Sequence, residues 1–263
     1  EQIKLDCEKK IIFVETLDEP TTKYVDELSE KVRHFSNKLP AVIIGMGGGI
    51  TLDVAKAVAN LLTNEGFAAD YQGWDLVKNP SVYKIGIPTL SGTGAEATRT
   101  CVLTNKENGL KLGMNSDFTV FDQIILDPNL TKSVPRNQYF FTGMDAYIHS
   151  FEALRGSYRN PVGDAFSRIS IQYAKDVFQS AEMQSEENRS KLMVASYMGG
   201  AAIALGLAHA IMGANLKIKL SQRNTPHALQ LVTKFDLSQT FSCVPACGPP
   251  LIHRNSPVTD SDL

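Results

Sequence analysis

The chain has 263 residues, 43% of them hydrophobic and 21% charged, with 26 Lys and Arg against 28 Asp and Glu. That length can bury a substantial core, as one large α/β domain or two modest ones, and the composition excludes a mainly disordered or fibrous chain. A formal charge of −2 supplies no basic footprint for phosphate backbones or anionic lipid, so neither nucleic acid nor a membrane is an expected partner.

No apolar run reaches the roughly 18 residues that span a bilayer, and Glu1 to Lys10 is charged rather than signal-like. Cys7, Cys101, Cys243 and Cys247 are too scattered for a disulfide framework. They fit a reducing compartment, and the cytoplasm is the expected location.

In chain order, Ile11 to Val14 reads as a buried strand. After Pro20, Thr21 and Thr22 offer a helix cap, and Tyr24, Val25, Leu28, Val32 and Phe35 recur at helical spacing. Lys38-Leu39-Pro40 ends that helix, Ala41 to Ile44 is a second strand, and a helix runs from Thr51 to about Leu62. Its apolar stripe is Leu52, Ala55, Val58, Ala59 and Leu62. Ile85 to Thr89, Cys101 to Thr104 and Ile124 to Leu126 are further short strands, and Asp127-Pro128 closes the sheet region.

From Arg136 the pattern turns helical, with small residues across Met198 to Ala204. The expected architecture is α/β: a Rossmann-like parallel sheet over residues 1–132, then an all-helical domain over 133–241. Residues 242–263, with Pro245, Pro249, Pro250 and Pro257, read as a disordered tail.

The strongest local feature is Gly45-Met46-Gly47-Gly48-Gly49, leading from a strand into a helix. Glycines let the backbone approach a diphosphate, while free N–H groups and the helix dipole favour its charge. No Gly-Lys-Ser/Thr follows, so the loop is not that of a kinase or ATPase. A second loop, Thr89-Leu90-Ser91-Gly92-Thr93-Gly94-Ala95-Glu96, also follows a strand. Its hydroxyls and unhindered amides suit ribose, pyrophosphate or a nicotinamide amide, and two such loops at strand ends match the ligand-binding edge of an open α/β sheet.

Asp145 and His149 stand four residues apart in an apolar helical stretch. That spacing puts a carboxylate and an imidazole on one face, able to grip one cation; the same spacing also suits a plain surface pair. His209 reads either as a core histidine or as a further ligand, and His227 either as a fourth ligand or as a loop histidine.

Taken together, Gly47-Gly48-Gly49 through Asp53-Val54-Ala55-Lys56, Ile87-Pro88-Thr89 with Gly92-Thr93-Gly94-Ala95-Glu96, Asp127-Pro128, and Thr142-Gly143-Met144-Asp145 with His149 resemble the successive signatures of the iron-containing (group III) alcohol dehydrogenases. Within that family, Tyr71 to Asp75, Thr119 to Gln123 and Tyr147 to His149 are most similar to the 3-deoxy-manno-octulosonate 8-oxidase branch of lipopolysaccharide sugar biosynthesis. The resemblance covers about Glu19 to Ala204.

It implies NAD(P)-linked oxidation of a primary hydroxyl, such as C8 of that sugar acid, to an aldehyde. By the matching motifs, Gly47, Gly48, Gly49, Asp53, Thr89, Ser91, Thr93 and Lys111 would bind the dinucleotide. Asp145, His149, His209 and His227 would hold Fe²⁺ or Zn²⁺. The implied partners are a small alcohol or sugar-acid substrate and a second subunit in a homodimer. No residue emerges as the proton relay, because Gly213 stands where many family members carry a second histidine.

Three features depart from the family pattern. Ile50 replaces a serine of the phosphate loop. The chain begins late, without the family's first strand and the acidic residue that usually meets the adenosine ribose, and the pattern fades after about Leu205. The expectation is a chain truncated at its N-terminus with an altered C-terminus. Two other readings are a sugar-phosphate cyclase of the dehydroquinate synthase type, which requires more Lys and Arg near Asp145 than the chain supplies, and a catalytically inactive cofactor-binding subunit.

Overall fold

In a computed structural model, residues 8–35, 38–156 and 159–210 are described. The first helix, α1 (Thr22–Arg33), starts where its cap predicts: the Thr21 side chain accepts a hydrogen bond from the Tyr24 N–H, while Lys31 and Arg33 complement the dipole in the last turn. Strand β1 (Ile43–Gly47) runs into the glycines, and α2 (Gly49–Leu61) begins two residues before the expected Thr51. Pairing with β3 (Lys84–Pro88) sets these limits, since the parallel ladder from Ile43↔Lys84 to Gly47↔Pro88 carries the strand through its glycines. Strand β6 (Gln123–Ile124) completes a parallel sheet of order β1-β3-β6.

A second sheet stands beside the parallel one, beyond what the sequence pattern predicts. Strand β4 (Thr100–Asn105) holds the expected Cys101 to Thr104, but it pairs antiparallel with β5 (Leu110–Asn115) instead of joining the parallel sheet. The intervening Asn108-Gly109, with Gly109 at φ +69°, is a hairpin signal of the kind two flanking strands require. The two-residue β2 (Gly73–Trp74) pairs parallel with β5 on its other side.

Helix α2 lies between the two sheets, which explains why burial runs around it instead of along one stripe. Val54, Ala57, Val58 and Leu61 share a core with Val25 and Leu28 of α1 and with Cys101, Leu103 and Met114. Leu52 and Ala55 cluster instead with Ala95 and Phe121 against the parallel sheet. The expected strand at Ile11 to Val14 does not form. The segment pairs with no strand among the described residues; Ile12 and Val14 lean on the α1–α2 core, and Ile11 and Phe13 face outward. A short apolar run suffices to lay a chain on a core, but a strand also needs a neighbour's backbone groups.

Three long helices follow: α3 (Arg136–Arg155), α4 (Pro161–Gln179) and α5 (Glu186–Ala210). Asn160 caps α4 by accepting the Gly163 N–H at 2.8 Å, with Pro161 at the first helical position. A buried seam of hydroxyls joins the three: Ser150 Oγ donates to Ser170 Oγ at 2.7 Å, and Ser170 donates to the Ala195 carbonyl at 2.8 Å. The described residues fall within one compact unit. Among them, no helix is long and apolar enough to cross a membrane. The expected tail at 242–263 lies outside the described residues.

Candidate functional site

The carboxyl ends of β1 and β3 lie side by side, so their two glycine loops meet. The Thr89 N–H donates to the Gly47 carbonyl at 2.9 Å. Gly48 is the N-cap of α2 and offers no side-chain cap, leaving first-turn N–H groups open to an anion. A Cβ on Gly48 would approach Leu90 to 3.0 Å, and one on Gly49 would approach the Thr93 hydroxyl to 3.0 Å. Backbone without side chains is therefore what this cradle requires, the arrangement a diphosphate needs. Thr93 is exposed and Ser91 is buried; the Ser91 hydroxyl has no hydrogen-bond partner among the described residues. Ile50, directly after the glycines, packs its side chain against the core cluster shared by α1 and α2.

Asp53 and Lys111 are placed differently from Gly47 to Gly49. The Asp53 carboxylate accepts the Val102 N–H of β4 at 3.0 Å and lies 3.1 Å from the Lys56 ammonium. Desolvation raises its pKa, with Lys56 and the Val102 N–H pulling the other way. Lys111 sits half-exposed on β5, ion-paired with Glu19. Both residues brace the second sheet. Asp53 serves the loops from behind, through Lys56.

Lys56 ends the first motif, and the sequence alone assigns it no role. Fully buried, its ammonium donates to the Ala95 carbonyl at 2.8 Å and to Thr98 Oγ1 at 3.1 Å, and also to the Thr100 carbonyl. It thereby ties the end of the second loop to α2 and β4. The available signal was a lone charge inside the apolar run Val54 to Leu62, where a lysine must find several acceptors to be buried.

The helical region reaches the same place. Gly92 is pressed between α3 and α5: its N–H donates to Ser196 Oγ at 2.8 Å, and a Cβ there would lie 2.2 Å from the Thr142 carbonyl. Gly94, at φ +64°, lies against Ser196 and Gly200, where a Cβ would meet backbone atoms at 2.5 to 2.7 Å. Three residues after Thr142 comes Asp145, and His149 stands one turn further. His149 Nε2 lies 3.5 Å from Asp145 Oδ1, and both side chains are about one-quarter exposed. His149 Nδ1 is buried without a hydrogen-bond partner among the described residues.

This oxygen and nitrogen pair fits two positions around a borderline cation such as Fe²⁺ or Zn²⁺. His209 falls in the last turn of α5, but its side chain is outside the described residues, as is all of His227. Among the described residues no third His, Cys, Asp or Glu joins the pair.

Residues 2–128 match the family model described as iron-containing alcohol dehydrogenase. Over that stretch the chain is similar to the iron-containing alcohol dehydrogenases. It is 34% identical over 225 residues to the sulfoacetaldehyde reductase of Bilophila wadsworthia, covering 84% of this chain and 56% of that enzyme. It is 31% identical over 221 residues to the NAD-dependent methanol dehydrogenase of Bacillus methanolicus, covering 79% and 58%. The structure of the sulfoacetaldehyde reductase from Bifidobacterium kashiwanohense in complex with NAD⁺ superposes with a TM-score of 0.63 at 32% identity, covering 71% of this chain and 50% of the other. The chain thus spans just over half the length of the curated relatives it matches.

Proposed function

We propose that this chain carries the dinucleotide loops and part of the metal centre of an NAD(P)-linked, metal-dependent alcohol dehydrogenase acting on a small primary alcohol or sugar acid. The observation that carries the reading is Gly92. It belongs to the second glycine loop, yet its Cα abuts the Thr142 carbonyl one turn before Asp145. A cofactor on the loops and a cation on α3 would therefore be neighbours, the condition for hydride transfer between a held substrate and a nicotinamide. Relatives named for NAD, methanol and sulfoacetaldehyde support the same class of chemistry.

In this reading the amides of Gly48 and Gly49 hold the diphosphate, and Thr89, Ser91 and Thr93 supply hydroxyls along its path. Asp53 and Lys56 hold the loops in register. Asp145 and His149, with His209 and His227 from the later chain, hold Fe²⁺ or Zn²⁺. When bound, the metal lowers the pKa of a coordinated hydroxyl and the nicotinamide accepts hydride. The protein's own contribution is orientation: α3 presents its ligand pair at a fixed offset from Gly92, and the buried seam between α3, α4 and α5 keeps that offset rigid.

The C8 hydroxyl of a 3-deoxy-octulosonate is the finer substrate candidate. Two residues behind that resemblance serve the core: Gln72 donates to the Leu103 and Leu112 carbonyls, and Tyr147 is buried. The general class is therefore tested first, with metal content, NADH and NADPH fluorescence on mixing, and NADH formation across a panel of primary alcohols that includes the sugar acid. Bound metal and dinucleotide with turnover is expected. Binding of both without turnover selects an inactive cofactor-binding subunit, and binding of neither refutes the proposal.

A further inference from the structure

The loop after β3 is held by a buried contact that the dehydrogenase reading does not use. Ser196, on α5, is 1% exposed. Its hydroxyl accepts the Gly92 N–H at 2.8 Å and points its own hydrogen toward Glu96 Oε1, 3.5 Å away. Glu96 is 2% exposed and closes the same loop that Gly92 opens. Around this contact the backbones interlock: a Cβ on Gly200 would strike the Gly94 carbonyl at 2.3 Å, and one on Gly94 would strike the Ser196 carbonyl at 2.5 Å. From the other side, Lys56 of α2 binds the Ala95 carbonyl. Within the loop so gripped, the Ser91 hydroxyl is buried and unmatched among the described residues, a donor and acceptor left over after the protein's own bonds are made.

The geometry points to Ser196 as a positioning residue for dinucleotide binding. Supported by Glu96, it clamps Gly92 so that Thr89, Ser91 and Thr93 are held in their cofactor-facing arrangement before the cofactor arrives. This rests on the proposed function for its ligand but not for the clamp itself. A free loop would have to be ordered on binding, and affinity falls by the fraction of time it spends elsewhere. Because the Ser196 hydroxyl is fixed to α5, the helix that also carries His209, the clamp adds a side-chain hydrogen bond to the backbone packing between the nucleotide loop and the metal-side helices.

The test uses the full chain with NADH and NADPH as probes, and two substitutions. Ser196→Ala removes the acceptor of the Gly92 N–H, while Glu96→Gln keeps an oxygen for the Ser196 hydroxyl. Hydrogen exchange of the peptide covering residues 89–96 is read without cofactor, and dissociation constants are read by fluorescence. Ser196→Ala is expected to speed exchange in this peptide and to weaken binding of the preferred dinucleotide, each by about tenfold, the effect of one lost buried hydrogen bond. Glu96→Gln is expected to stay near wild type in both. Unchanged exchange in Ser196→Ala overturns the clamp. Faster exchange with unchanged dinucleotide affinity overturns its positioning role. A wild-type chain that binds neither dinucleotide overturns the dehydrogenase reading and with it that role, while the exchange data still decide the clamp.

Discussion

Glu96→Gln should reshape the dependence of stability on pH. The Glu96 carboxyl is 2% exposed, and the Ser196 hydroxyl approaches it at 3.5 Å. Burial pushes its pKa from 4.5 up to about 7, against the smaller opposing pull of its own backbone N–H, Lys56 and Ser196. Between those two values the native chain keeps a proton that the unfolded chain has lost. Stability from this group is therefore full below about pH 4.5 and is lost as pH rises to about 7. At about 1.4 kcal/mol per pKa unit, the loss is about 3 kcal/mol.

Asp53 and Asp26 are also raised by burial and act with the same sign, so the difference between wild type and Glu96→Gln isolates the one carboxyl. Urea unfolding of both proteins from pH 4 to pH 8 should show wild type falling by about 3 kcal/mol relative to the variant. Parallel profiles would refute the desolvation account. A wild type that gains on the variant as pH rises would mean that Lys56 stabilises the charged form outright.

Lys56→Met removes three hydrogen bonds and strands the buried Asp53 carboxylate; it should cost about 3–5 kcal/mol by urea unfolding, and adding Asp53→Leu should recover much of that loss. Gly94→Ala and Gly109→Ala separate strain from packing, since both residues have φ between +60° and +70°. Gly109 has nothing within 4 Å of a new Cβ and should lose about 1 kcal/mol, whereas at Gly94 the methyl meets the Ser196 and Gly200 backbones and thermal unfolding should show a loss at least twice as large. His149→Ala should abolish metal retention, measured by elemental analysis, with far-UV circular dichroism unchanged; undiminished metal content would remove α3 from the proposed centre.

Features set by local chemistry were legible in the chain alone. Thr21 caps α1 because a hydroxyl beside a first-turn N–H satisfies it in any fold, and three glycines between a strand and a helix open an anion cradle wherever the strand lies. The Asp145–His149 pair follows from helical spacing, and the structure brings the two side chains together.

What could not be read was any partner supplied from far along the chain. Ile11 to Val14 is apolar throughout, like a buried strand, but it pairs with no strand among the described residues. Cys101 to Thr104 joined an antiparallel hairpin because β5 and α2 closed around it. For Asp53 and Lys111 the motif alone supplies the cofactor expectation, and the fold adds an ion-pair partner to each, Lys56 and Glu19. The chemistry of Glu96 depended most on the fold, because an acid's protonation follows from how much water the rest of the molecule removes and which dipoles replace it. Only the approach of α5 to the second loop, through Gly94, Ser196 and Gly200, sets both.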